Sequence, residues 1–447
     1  MDEDELDRVI TAVQRKYSMD FSLKPEQRAI IANLINKKDV FGLLPTGFGK
    51  SITFTLVPLI LNEINPLKKH CALVVSPLVA LMKDQVASLM HKDIQAIAIV
   101  DDASVQDVAG GDWSIVFTSP EASLQPRWQK MLKNAFKDRI CLLVFDEAHC
   151  ISSWGLEFRP TYRQITVLQS LFDVPNLVLT ATATTTIQQD IYTVLGLQPE
   201  NTEVVAALPK RSNIFLQIIQ CSEKYEIELK WIVNHLINGN KKIIVYVRSI
   251  NLCYQIYLFL LSNLMENAFV NCEPSAKNRK VEMFHANTDP ESKDRILQEF
   301  MKQDSKIRVL ISTVAFGMGI NITDVDIVVH WGLPTSPLSY WQEVGRCARD
   351  GRSGYAICYA YKRSYSKLKD DKFKEITSLN RCIRLSVLKF FLLDGMREQE
   401  LRELETTDDC KNECDNCSCK KCVCCIVCIK TCACRSNDSE PLVTFLK

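Results

Sequence analysis

Leu44-Pro45-Thr46-Gly47-Phe48-Gly49-Lys50-Ser51 is a run whose residue types can hold a phosphate chain. It follows the apolar stretch 40–44 and precedes 52–60, which can continue as a helix. Strand, glycine loop, Lys-Ser and helix is the arrangement that cradles nucleotide phosphates. Gly47 and Gly49 let the backbone turn its N–H groups inward, because glycine tolerates dihedrals that a Cβ forbids. The helix that follows adds its positive N-terminal end. In such a loop Lys50 reaches the β- and γ-phosphates and Ser51 holds Mg2+. The full pattern G-x-x-x-x-G-K-[ST] wants glycine where Leu44 stands, so the run by itself also fits a glycine turn beside a helix.

A second segment adds to this reading. Cys141-Leu142-Leu143-Val144-Phe145 is an apolar strand candidate, and Asp146-Glu147-Ala148-His149 ends it. Acidic residues at the C-terminal edge of a buried strand sit where open α/β sheets place ligands. Asp146 can enter the Mg2+ shell, and Glu147 can polarise a water for attack on the γ-phosphate.

The elements that must position these residues alternate along the chain. Strand-like runs at 72–76, 114–118, 142–145 and 177–180 are separated by helical segments, the signature of βαβ units and a parallel sheet. A second alternating series begins near Arg211, with strands expected at 242–247, 281–284, 309–312 and 327–330. The expected architecture is α/β, two tandem parallel-sheet domains followed by a small helical, cysteine-bearing region. The boundaries fall at 1–205, 206–362 and 363–434, with a polar tail at 435–447.

Composition bounds the rest. At 447 residues the chain has room for two or three domains, and 47% hydrophobic with 24% charged residues is ordinary for a globular protein. No apolar run approaches the ~20 residues of a membrane helix, so no membrane partner is expected. The start, Met1-Asp2-Glu3-Asp4-Glu5, is too acidic for a signal peptide. A nuclear location is expected, or a cytoplasmic one in a prokaryote. Net charge is +1, which neither announces nor excludes a nucleic-acid partner, since a local basic groove suffices. Cysteine is the unusual component: there are 19, ten of them between Cys410 and Cys434. In a reducing compartment such a tract suggests metal rather than disulfides.

Further motifs occur in a fixed order. Leu23-Lys24-Pro25-Glu26-Gln27 precedes the glycine loop, and Ser76-Pro77-Leu78, Asp84-Gln85 and Thr118-Ser119-Pro120-Glu121 lie between it and Asp146. Thr180-Ala181-Thr182-Ala183-Thr184 follows, then the segment 312–321 and Gln342-Glu343-Val344-Gly345-Arg346-Cys347-Ala348-Arg349-Asp350-Gly351. This set resembles the RecQ family of DNA helicases in superfamily 2, over roughly residues 10–420. The resemblance implies that the two parallel-sheet domains are RecA-like and the helical region a zinc-binding subdomain. It also implies an ATP-dependent 3′–5′ DNA helicase acting on single-stranded and on duplex or branched DNA in repair and recombination, with ATP, Mg2+ and Zn2+ as cofactors. A nucleic-acid-stimulated translocase or an RNA helicase is the neighbouring alternative.

Residue roles follow from the same resemblance. Gln27 stands where the family reads the adenine edge, and Lys24 where an arginine usually stacks on adenine, which implies a weaker contact there. Thr46, Gly47, Phe48, Gly49, Lys50 and Ser51 form the phosphate loop, with Phe48 replacing a common glycine. Ser76, Trp154, Phe158 and Arg159 are expected on nucleic acid. The two rings lie in an aromatic-rich loop, 151–160, that couples single-stranded DNA to hydrolysis; Leu156 departs from the histidine usual there. Bases stacked on such rings gain roughly 1–3 kcal/mol each. Arg346 and Arg349 are expected to meet the γ-phosphate, and Thr180 and Thr182 to link the ATP site to DNA. No winged-helix pattern follows the cysteines, so a minimal helicase is expected.

Cys382, Cys410, Cys414 and Cys417 are the expected metal ligands, because four thiolates with close pairs at one end suit tetrahedral Zn2+. Cys414-Asp415-Asn416-Cys417 resembles the closing pair of the RecQ zinc subdomain, although the gap from Cys410 to Cys414 is one residue longer than a common form. Seven cysteines downstream, Cys428 among them, exceed what one Zn2+ can use. A second metal, a substitute for Cys410 and an unfolded tail all remain open for them; if they are surplus, Cys428 matters much less than Cys417.

Overall fold

The computed structural model describes residues 1–100, 103–152, 160–313, 322–366, 368, 371–396 and 424–430. These residues form two compact units. The first comprises 1–209 with 391–396, and the second 210–390 with 424–430.

The first unit is built on strands β1 (Asp39–Leu43), β2 (Cys71–Val75), β3 (Ala96–Ile99), β4 (Ile115–Thr118), β5 (Ile140–Phe145), β6 (Asn176–Thr180) and β7 (Thr202–Ala206). They form one sheet in the order β3-β4-β2-β5-β6-β1-β7, and every neighbouring pair is parallel. Parallel strands need crossovers, and the helices that make them cover both faces. Alternate residues therefore enter two different cores. Phe41, Leu43, Leu73, Val75, Leu143 and Phe145 pack with Trp128 and Phe136 on one face. Val40, Leu44, Ala72, Val74, Leu142 and Val144 pack with Phe54 and Val57 on the other. This two-sided burial explains why the strands read as unbroken apolar runs. Each buried Val, Leu or Ile contributes roughly 1.5–3 kcal/mol. An exposed ion pair such as Lys16–Glu63 (3.2 Å) contributes about 0–1 kcal/mol, so packing holds this unit together.

The second unit carries β8 (Ile214–Gln220), β9 (Ile243–Val247), β10 (Val281–Phe284), β11 (Val309–Ser312), β12 (Ile327–Trp331) and β13 (Gly354–Ala360). Their order is β10-β11-β9-β12-β13-β8, again parallel throughout. The strands named from sequence are present within a residue or two; β3, β7, β8 and β13 were not singled out. The helix Pro337–Val344 follows β12 and is capped by Ser336, whose Oγ accepts from Ser339 N at 3.2 Å. It hands the chain to the loop 345–353, which leads back into β13. The helix Ile383–Leu388 packs on β8, as does the helix Ile426–Lys430. The helical region after 362 is thus part of the second unit up to residue 390, while 391–396 return to the first. No helix among the described residues is long and apolar enough to cross a membrane.

Candidate nucleotide site and thiol cluster

β1 ends at Leu43, and the chain turns through Pro45–Phe48, where Phe48 N donates to Pro45 O at 3.1 Å. Gly47 and Gly49 have φ of 79° and 89°, so both use the left-handed region that glycine enters without strain. A Cβ at Gly49 would also lie 2.6 Å from Gln27 Nε2 and would push that amide off the loop. It caps the helix Lys50–Ile64, whose first turn leaves backbone N–H groups free for an anion. Leu44, the departure from the glycine pattern, is fully buried and its N–H donates to Thr180 O. The position serves the core, so the loop proper begins after it.

Gln27 and Lys24 brace this loop. Gln27 Nε2 lies 2.9 Å from Phe48 O and 3.2 Å from Gly49 O, and its Oε1 accepts from Lys24 N at 2.9 Å. Lys24 Nζ sits 3.9 Å from the Phe48 ring centroid and 3.3 Å from Phe48 O. Phe48, the second departure, therefore packs under the ammonium of Lys24.

Asp146 and Glu147 follow β5. Asp146 N donates to Val75 O at 2.9 Å, extending the pairing with β2. Burial, then the charge of Glu147, pushes the Asp146 carboxyl up to about 6. Glu147 has φ 48°, a position that costs a non-glycine residue about 1–3 kcal/mol. The turn aims its carboxylate at Lys50 Nζ, 3.4 Å away, and at His149 Nδ1, also 3.4 Å. His149 Nδ1 lies 3.2 Å from Thr180 Oγ1, which donates to Thr182 O at 2.9 Å. Burial lowers the His149 pKa, which keeps the ring neutral. Tyr162 OH bonds Asp146 O and Val75 O from beneath. Lys50, Asp146 and Glu147 are thus gathered at one end of the sheet, and Thr180 is tied to them through His149. Asp146 and the Ser51 hydroxyl are oxygen donors of the kind Mg2+ prefers. Ser76 is fully buried at the end of β2, and its Oγ has no hydrogen-bond partner among the described residues. Trp154, Phe158 and Arg159 lie outside the described residues.

In the second unit, Tyr246 stacks on His330 at 5.5 Å, and His330 Nε2 lies 2.8 Å from Glu343 Oε2. Arg346 hydrogen-bonds to Tyr246, whose hydroxyl burial drives well above its usual range. Arg349 Nε donates to Gly345 O at 3.3 Å. The loop backbone is pinned by Ala348 N to Val325 O at 2.7 Å. Arg211 donates to Gly345 O at 2.7 Å, to Ala348 O at 3.1 Å and to Cys347 O.

The sulfur atoms of Cys382, Cys424, Cys425 and Cys428 all lie within 4.8 Å of one another. Cys382 and Cys424 are 3.6 Å apart. A tetrahedral Zn2+ with Zn–S of about 2.3 Å needs sulfurs roughly 3.8 Å apart, so the set fits that ion. A hydrogen bond from Cys382, together with Cys428 and Arg384, draws the Cys424 thiol down to about 7. Cys382 is a ligand expected from sequence. Cys424, Cys425 and Cys428 are not, and Cys428, weighed above as surplus, belongs to this cluster. Cys410, Cys414 and Cys417 lie outside the described residues.

With this geometry in view, kinship can be judged. The family model of the DEAD/DEAH box helicases matches residues 24–190, and that of the helicase conserved C-terminal domain matches 226–351. The ATP-dependent DNA helicase RecQ of Haemophilus influenzae is 30% identical over 78% of this chain and 52% of its own. The ATP-dependent DNA helicase Q5 of Rattus norvegicus is 30% identical over 79% of this chain and 36% of its own. The chain belongs to the RecQ helicases. A putative ATP-dependent RNA helicase, R290, of Acanthamoeba polyphaga mimivirus is also similar, at 29% identity over 93% of this chain and 74% of that protein. This RecQ-family chain therefore spans from about a quarter to three-quarters of the length of the curated relatives it matches. Among solved structures, the DUF1998 helicase MrfA bound to DNA and AMPPNP shares the fold, with TM-score 0.62 and 19% identity over 91% of this chain and 56% of that one.

Sequence reasoning missed Tyr162, Arg211 and Arg384. Side-chain donors to backbone carbonyls carry no spacing signature, so nothing in the sequence marks them.

Proposed function

We propose that this chain is an ATP-dependent DNA helicase that moves 3′ to 5′ along single-stranded DNA, working in the nucleus or, in a prokaryote, in the cytoplasm. The observation that carries this is the gathering of Lys50, Asp146 and Glu147 beside the loop Gly47–Ser51, in a chain of the RecQ family. The loop N–H groups and Lys50 bind the β- and γ-phosphates of ATP. Glu147 takes the proton of the attacking water, and its 3.4 Å contact to Lys50 exchanges for that role when the phosphates claim the ammonium. Asp146 and the Ser51 hydroxyl would hold Mg2+, which would neutralise charge on the phosphates. Arg346 and Arg349 supply further positive charge to the transition state. His149 and Thr180 carry changes at Glu147 toward Thr182. Cys382, Cys424, Cys425 and Cys428 would hold Zn2+, which would cross-link the helix Ile383–Leu388 to the helix Ile426–Lys430.

The test is ATP hydrolysis with single-stranded DNA, RNA and duplex DNA, followed by strand separation on a duplex with a 3′ or a 5′ tail. Stimulation by single-stranded DNA and opening of the 3′-tailed duplex alone are expected. Stimulation by RNA in place of DNA would support the second reading, an RNA helicase, which the kinship with the mimivirus protein favours.

A further inference from the structure

Arg384 lies one position into the helix Ile383–Leu388, beside Cys382, and is buried. Its Nε is 3.3 Å from Cys424 Sγ, and its Nη2 is 3.1 Å from Cys424 O. The other donors reach the strand-leading segment: Nη1 to Lys210 O at 2.7 Å and to Arg211 O, Nη2 to Ile214 O. Arg211, in that segment, has φ 42° and passes its own guanidinium to the carbonyls of Gly345, Cys347 and Ala348. Asn213 Nδ2 adds bonds to Ala348 O at 2.9 Å and Arg352 O at 2.7 Å. An unbroken path of charge-assisted bonds therefore runs from the thiol cluster to the backbone on which Arg346 and Arg349 are mounted.

Arg384 is a buried cation with no carboxylate among these partners, and Arg211 is half-buried, with Asp350 the nearby carboxylate that acts on it. A guanidinium buried as Arg384 is needs opposing charge. Four thiolates around one divalent ion carry net negative charge, and Cys424 Sγ presents part of it to Arg384. We propose that Arg384 and Arg211 are positioning residues that make the geometry of the Arg346–Arg349 loop depend on the metal-loaded thiol cluster. The inference rests on the ATPase reading given above for Arg346 and Arg349. Loss of the metal frees Arg384 from its anion, slackens residues 210–214, and releases the carbonyls of 345–348 from Arg211. Folding of the sheet does not depend on this path, because β9 and β12 pair directly.

The experiment compares wild type, Arg211→Gln, Arg211→Lys and Arg384→Gln by zinc content, nucleotide affinity, steady-state kinetics and amide hydrogen exchange. Arg211→Gln should keep its zinc and bind nucleotide within about twofold of wild type, while kcat falls roughly tenfold or more. Exchange should quicken at 345–351 and stay unchanged in β9 and β12. Arg211→Lys should recover part of kcat, since one ammonium replaces some of the three carbonyl contacts. Arg384→Gln should quicken exchange at both 210–216 and 345–351. Stripping zinc from wild-type protein should reproduce that exchange pattern, and returning zinc should reverse it; this arm decides the matter if Arg384→Gln does not fold. Unchanged kcat and exchange in Arg211→Gln, uniform loosening of the whole sheet, or a zinc-stripped protein with an undisturbed 345–351 loop would each overturn the proposal. Absence of any ATP hydrolysis by wild type would instead sink the helicase reading, with the exchange arms still judging the path itself.

Discussion

The nucleotide site and the thiol cluster are both partly buried gatherings of ionisable groups, but they are balanced in opposite ways. At the nucleotide site, Lys50 stands 3.4 Å from Glu147, Glu147 shares His149, and burial raises Asp146 toward neutrality. Positive and negative groups there answer one another before any ligand arrives. The cluster holds four thiols within 4.8 Å and one guanidinium at its edge. Four thiolates repel, so only a cation lets them all ionise. One region is therefore preorganised by its own side chains, and the other by what it binds. Changes at the first should alter chemistry and spare structure, and changes at the second should loosen structure and reach chemistry only through the position of the Arg346–Arg349 loop.

The sharpest test is Lys50→Ala. Removing the ammonium should cut hydrolysis by about 10³-fold or more, with melting temperature and zinc content unchanged. A large loss of stability would erase the distinction. Glu147→Gln comes next, with hydrolysis down by at least ~100-fold and nucleotide binding retained, because the amide keeps the size but not the basicity. Nucleotide binding lost without a direct effect on turnover would contradict the assigned role.

Cys428→Ser acts on the other side of the comparison. It should lower zinc content and expose 371–396 to protease, while basal hydrolysis falls by about tenfold, since outer parts of a site act through position rather than contact. Full zinc occupancy in Cys428→Ser with intact protease resistance would return the metal to Cys410, Cys414 and Cys417.

The smallest effect is a pH dependence. Asp146 has a folded-state pKa raised from 3.8 to about 6, by burial first and Glu147 second. Its protonated form is the one the nucleotide-free fold prefers, so this stabilisation is complete below the unfolded value and is lost as pH rises through about 6. Mg2+ with nucleotide selects the ionised form. The melting-temperature gain from Mg2+ and ADP should therefore shrink as pH falls from about 7.5 to about 5.5 and be flat in Asp146→Asn. Equal gains at both pH values would remove the raised carboxyl from the account.

Much of the nucleotide site was legible because its parts are contiguous in sequence and its strands are buried on both faces. Residues 141–145 and 40–44 announce themselves as apolar runs for that reason. Leu44 looked like a fault in the motif until its burial in the sheet was seen. The thiol cluster was only half legible. Cys382 and Cys424 are 42 positions apart, and a tract with ten cysteines offers too many combinations for spacing to choose among. Adjacent Cys424 and Cys425 also break the paired spacing that usually marks zinc. β13 and β8 were less visible because their apolar residues are mixed with Gln217, Gln220 and Gly354.

The return of residues 391–396 to the first unit has a consequence for synthesis. The helix Thr185–Leu195 bonds through Thr185 Oγ1 to Leu392 O, and through the Gln188 amide to Asp394 O and N, across 206 or 207 positions. At ribosomal rates of ~5–20 residues per second, those partners emerge roughly 10–40 s after the helix itself. For that interval the nascent first unit has its sheet but lacks its last strap. Gln188, Thr185 and the neighbouring Val204 surface stand open to water or to a chaperone until residues 391–396 have been made.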